Sequence, residues 1–152
     1  MNCINNGSIT GIDRIGGTVG ANQGQIADCI NNGKITATNS GTSNVGGICG
    51  HTAGQVNPHP TSGCINIDNV TGYENVGGIY GISNPGAVGS AAILNCINYG
   101  HIVGNNFVGG IVGQRVTDAD VIDCVNVGII QGNQNTSCII GNTFLQFPFI
   151  NC

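Results

Sequence analysis

A two-part pattern recurs along this chain and leaves few folds open to it. Its first part is clearest at Cys29–Ile35, CINNGKI, with copies starting at Cys3 (CINNGSI), Cys64 (CINIDNV), Cys96 (CINYGHI) and Cys124 (CVNVGII). A sixth copy is present only as Cys152. The second part follows each of the first five as RIGGTVG ending at Gly20, VGGICG at 45–50, VGGIYG at 76–81, VGGIVG at 108–113 and TSCIIG at 136–141. Five repeats result, at 3–28, 29–63, 64–95, 96–123 and 124–151, and the whole of 1–152 reads as one domain. A unit this short cannot bury its own apolar face, so the repeats must stack on one another.

Counted from each Cys, positions 0, +2, +4 and +6 are nearly constant: Cys, Asn, Gly (Asp68 once) and Ile or Val. Positions +3 and +5 vary freely, which is the alternation of a strand with one face inward. Position +1 is always Ile or Val, and a bend beside the Cys is expected to turn it inward as well. VGGIxG supplies a second strand, and Ile26, Ile93, Val121 and Phe149, each three residues before a Cys, suggest a third. No segment sustains a 3.6-residue apolar period, and the 27 glycines oppose helix. The predicted fold is all-β, a parallel β-solenoid of about five coils with two to three short strands per coil. An array of hairpins is the competing fold, because Asn6-Gly7 and Asn32-Gly33 are turn signals. Later copies replace them with Ile67-Asp68, Tyr99-Gly100 and Val127-Gly128, which do not demand that turn.

Two inward columns follow. Cys3, Cys29, Cys64, Cys96, Cys124 and Cys152 would lie about 4.8 Å apart from rung to rung, close enough for disulfides between neighbours and equally suited to a ladder of buried thiols. Asn5, Asn31, Asn66, Asn98 and Asn126 would stack their amides and fix the register. Neither column is expected to be a ligand site.

The pairing of C-x-N-x-G-x-I with G-I-x-G resembles the GLUG-motif repeats of bacterial surface proteins, over nearly the whole chain. Thr18 and Ser137-Cys138 depart from that pattern. The resemblance implies an extracellular, adhesin-like β-rich repeat at the cell surface with no chemistry of its own.

Little else points to chemistry. Three Lys/Arg against seven Asp/Glu give a net charge of −4, too few cations to neutralise nucleic-acid phosphate. No apolar run is long enough to span a bilayer. MNCINNG enters the repeat directly, with no secretory leader, so a processed chain or another export route is expected. No CxxC pair or other metal-ligand spacing occurs, and no cofactor or metal is expected. A carbohydrate-cleaving β-helix is the remote enzymatic alternative, but it needs paired acids on one face. Only Asp118, Asp120 and Asp123 cluster, and they read as a solvated loop before a weak calcium site. His51, His59 and His101 read as surface residues. The sequons at Asn6, Asn69 and Asn135 read as chance.

The ends carry the leading functional expectation. Asn2-Cys3 and Asn151-Cys152 occupy the same repeat positions, no polar cap is evident, and Phe144, Phe147 and Phe149 crowd the last nine residues. Open strands template further pairing. A structural protein stacking head to tail on copies of itself into a filament is therefore expected. The alternative is an adhesion or spacer segment of a larger surface protein, with host or matrix glycans as partners.

Overall fold

The computed structural model describes residues 2–53, 59–84, 92–116 and 120–143. The first repeat forms five short strands, β1 (Ile4–Asn5), β2 (Ile9–Gly11), β3 (Ile15–Gly16), β4 (Val19–Asn22) and β5 (Ile26–Ala27). Each later repeat lays its own strands on these in order, giving, among the described residues, 24 strands in five sheets with every pairing parallel. Four sheets have five rungs, and the one begun by β5 has four. The chain is therefore a β-solenoid of four complete turns, with four-fifths of a fifth turn described. Each coil has five strands where two to three were expected, because the inward faces are only one or two residues wide and the chain turns between them. No helix occurs among the described residues, and none is long and apolar enough to cross a membrane.

Single residues make two of the turns. Asp28, Asn95 and Asp123, each just before a Cys, have φ near +50°, and Gly63 in the same place has φ of 63°. Asn, Asp and Gly enter this left-handed region most readily. A second such column, at Arg14, Asn75, Phe107 and Asn135, precedes the Gly-Gly strand. The register pairs like with like. Asn66 lies between Asn31 and Asn98, and Gly77 between Gly46 and Gly109. Hairpins are thus absent from the repeat, and the Asn-Gly pairs lie within parallel coils.

Alternation along the first strand runs without a break. Cys29, Asn31, Gly33 and Ile35 are buried, while Asn32 and Lys34 are exposed. Position +1 does not turn inward as expected. Ile4 and Val125 are exposed and Ile30, Ile65 and Ile97 half-buried, because the period of two holds through the Cys and the bend precedes it.

The interior holds two apolar columns. One joins Cys29, Cys64, Cys96 and Cys124 to Ile48, Ile79, Ile111, Tyr80 and, three residues before a Cys, Ile26, Ile93 and Val121. The other joins Ile35, Val70 and Ile102 to Val45, Val76 and Val108. Between them the coil narrows to a waist, where each Asn faces the Gly-Gly corner. A Cβ on Gly47 would lie 2.4 Å from Asn66 Cγ, and one on Gly78 the same distance from Asn98 Cγ. The glycines are needed here for close approach rather than for a turn.

Candidate functional site

The asparagine column is the most ordered polar feature. Asn5 Nδ2 donates to Asn31 Oδ1 at 2.7 Å, Asn31 to Asn66 at 2.8 Å, Asn66 to Asn98 at 2.7 Å and Asn98 to Asn126 at 2.8 Å. Each amide also donates to the carbonyl two residues ahead, as Asn31 does to Gly33 and Asn98 to Gly100. All the side chains point the same way along the axis, so their dipoles add. Asn31, Asn66 and Asn98 are fully buried. Inside a dry coil these bonds satisfy groups that no water could reach, and they leave the column no capacity for a ligand.

The cysteine column is a row of thiols, Cys3, Cys29, Cys64, Cys96 and Cys124, with no disulfide between them. Cys152 lies outside the described residues. Sγ of Cys29, Cys64, Cys96 and Cys124 contacts the carbonyl two residues back at 3.3–3.4 Å. Hydrogen bonds with Cys124 and Cys64, then burial, push the Cys96 thiol up, and burial is the largest cause raising Cys29. Cys49 lies in the neighbouring sheet beside Tyr80, and burial pushes it up to about 12. Hydrogen bonding with Cys96 instead holds Cys64 down to about 7 and Cys124 below its ordinary value, so it is burial that keeps reagents from the row: Cys29, Cys64, Cys96 and Cys124 have no exposed surface. In the native protein a maleimide should label exposed Cys138 and, more slowly, half-buried Cys3. Cys29, Cys49, Cys64, Cys96 and Cys124 should react only after denaturation, as peptide mapping by mass spectrometry would show.

The remaining candidates scatter. Asp123 is exposed, Asp120 half-buried, and Asp118 lies outside the described residues. Among the described residues no group of three or more His, Cys, Asp or Glu could hold a metal. His59 and His101 are exposed. The sequon side chains make cross-rung bonds of their own: Asn32 to Asn6 at 2.7 Å, His101 N to Asn69 at 3.1 Å and Asn135 to Asn106 at 2.8 Å. Of the expected self-association residues, Asn2 is exposed and Cys3 half-buried, while Phe144, Phe147, Phe149 and Cys152 lie outside the described residues.

His51 is only half-exposed, and its buried Nδ1 has no hydrogen-bond partner. Burial, then the charge of Arg14, pushes its pKa below 6.5, with Asp13 partly offsetting them. A depressed histidine pKa means the unfolded chain binds the proton more tightly, so the stabilisation is complete above the ordinary value and is lost on acidification. The denaturation midpoint should therefore fall as pH drops below about 6.5. His51→Gln should flatten that part of the profile, as urea titrations at stepped pH would show.

Two features were not read from the sequence. Arg115, counted there only as one dispersed charge, is buried with 1% exposure, in the inward column of Thr52 and Ser83. The outer side also changes character along the stack. At position +3, Asn6 and Asn32 give way to Ile67, Tyr99 and Val127, which are 49%, 50% and 62% exposed, with Val125 and Ile129 exposed beside them. Reading the variable positions down the rungs would have found this strip.

Compared with protein-family models, curated proteins and solved structures, the chain matches none.

Proposed function

We propose that this chain is a structural, non-catalytic β-solenoid segment of an extracellular or cell-surface protein, serving adhesion or spacing through its outer sides. One observation carries the reading: the polar side chains that recur at the waist spend their donors and acceptors on the next rung. Such an interior gives a stiff rod, with variation left to the outward positions. The GLUG-like repeat supports the placement at a cell surface, where host or matrix glycans are the partner class. Antibodies against the folded protein should label intact source cells. Labelling only after permeabilisation would contradict the reading.

End-to-end stacking into a filament is the second reading. It is favoured by Asn126, which accepts from Asn98 and uses one N–H on Gly128, so its second N–H is placed for the amide of a further rung. Electron microscopy of the purified protein tests it. Fibres one coil wide are its expected result, and a field of short single particles would oppose it.

A further inference from the structure

Within each column the glycines point one way along the stack, and the first and fifth rungs differ in whether they keep the Gly-Gly corner. At the waist the missing Cβ points toward the next rung. A Cβ on Gly17 would lie 2.3 Å from the carbonyl oxygen of Gly47, on Gly47 2.2 Å from that of Gly78, on Gly78 2.2 Å from that of Gly110, and on Gly110 2.1 Å from that of Cys138. The preceding glycine of each pair is restricted first within its own rung, since a Cβ on Gly46 would lie 2.0 Å from Cys49 O and one on Gly77 2.0 Å from Tyr80 O, and only then by the rung above, at 2.6 Å from Ile79 O and 2.9 Å from Ile111 O. Wherever a rung lies above, this corner is Gly-Gly.

The fifth rung carries Ser137-Cys138 instead, in unchanged register, with Gly109 opposite Ser137. Cys138 is exposed.

Other glycines point toward the rung below. A Cβ on Gly33 would lie 2.1 Å from Gly7 O, on Gly100 2.1 Å from Asp68 O, and on Gly128 1.9 Å from Gly100 O. The third rung carries Asp68 in this column, opposite Gly33 in unchanged register, so a side chain is accommodated here within the stack. The first rung keeps glycine in this column, as Gly7, although its Cβ position is open, with nothing nearer than Asn5 Oδ1 at 3.8 Å.

We infer that the first and fifth rungs are unlike as stacking faces: the face of the first rung accepts a further rung whose corner is Gly-Gly, and Ser137-Cys138 blocks in-register stacking on the fifth. The partner that fits the first face is a polypeptide rung of this same repeat with glycine at both corner positions. A second unaltered copy does not qualify, since its Cys138 Cβ would fall against the Gly17 carbonyl. The inference is independent of the cell-surface reading and stands against the end-to-end one.

Sedimentation velocity of the full-length chain over a wide concentration range tests it, under reducing conditions so that Cys138 forms no disulfides. The unaltered protein should remain a monomer. Ser137→Gly with Cys138→Gly should associate end to end, raising the weight-average mass to about twice that of the chain or more, because head-to-tail contacts do not close. Ser137→Gly alone should stay monomeric, because Cys138 keeps its Cβ directed at the next carbonyl. Assembly of the unaltered chain to the same extent would overturn the inference. A double-glycine variant that stays monomeric would do so too, as would association of Ser137→Gly alone to the same extent as the double variant.

Discussion

Gly78→Ala is expected to destabilise the fold by more than about 3 kcal/mol, a large fraction of the stability of a domain this size. The added methyl group would lie 2.2 Å from the Gly110 carbonyl, 2.4 Å from Asn98 Cγ and 2.7 Å from Asn98 Cβ. None of these atoms is the free end of a flexible side chain. The Asn98 amide is held by Asn66 and Asn126, and the Gly110 carbonyl belongs to the backbone of the adjoining rung. Relief would mean separating two rungs, and with them the parallel pairing on either side of the corner. Gly24→Ala is the control, since nothing lies within 4 Å of its Cβ position, and its effect should stay within about 0.5 kcal/mol. Urea denaturation of the two variants checks the pair.

Asn66→Ala should produce the next largest loss. The side chain accepts from Asn31 at 2.8 Å and donates to Asn98 at 2.7 Å and to the Asp68 carbonyl at 2.8 Å. Truncation removes these bonds and leaves an N–H of Asn31 and the Oδ1 of Asn98 without that partner inside the coil. An orphaned buried group costs about 1–3 kcal/mol, so a total of about 3–5 kcal/mol is expected. Asn32→Ala is the contrast. Asn32 also bonds across rungs, to Asn6 at 2.7 Å, but water replaces that exposed contact, and a change within about 0.5 kcal/mol is expected. Equal losses at Asn32 and Asn66 would mean that burial of the ladder is not what makes it stabilising.

Constancy at alternate positions was enough to place Cys29, Asn31, Gly33 and Ile35 inside and Asn32 and Lys34 outside, because a strand enforces a period of two. The same rule should have kept position +1 outside. Ile30 and its equivalents looked like core residues because they are apolar in every copy, yet apolar residues commonly lie at a surface. The five-sided cross-section was harder to read, since its strands are mostly two to four residues long and too short to show alternation. Its corners were legible in hindsight. Asp28, Gly63, Asn95 and Asp123 are the residue types that accept positive φ, and they stand in one column before each Cys. Arg14 and Phe107 at the second corner gave no such signal.

The Gly-Gly pair was legible as a site of close approach, but not what it approaches. Only the register sets Gly47 against Asn66 and the Gly78 carbonyl, two contacts that lie in the next repeat. That same fact changes how the degenerate fifth copy reads. By motif alone, Ser137-Cys138 is a weakened match. By geometry, it is the rung on which the requirement for glycine ends.

The account rests on each repeat forming one turn, stacked in parallel so that equivalent asparagines touch. Nuclear Overhauser contacts between side-chain amide protons test this most directly. The Asn66 amide should show contacts to Asn31 and to Asn98, 35 and 32 residues away, and the series should continue to Asn5 and Asn126. Asparagine amide contacts confined within single repeats, as hairpins would give, would contradict it.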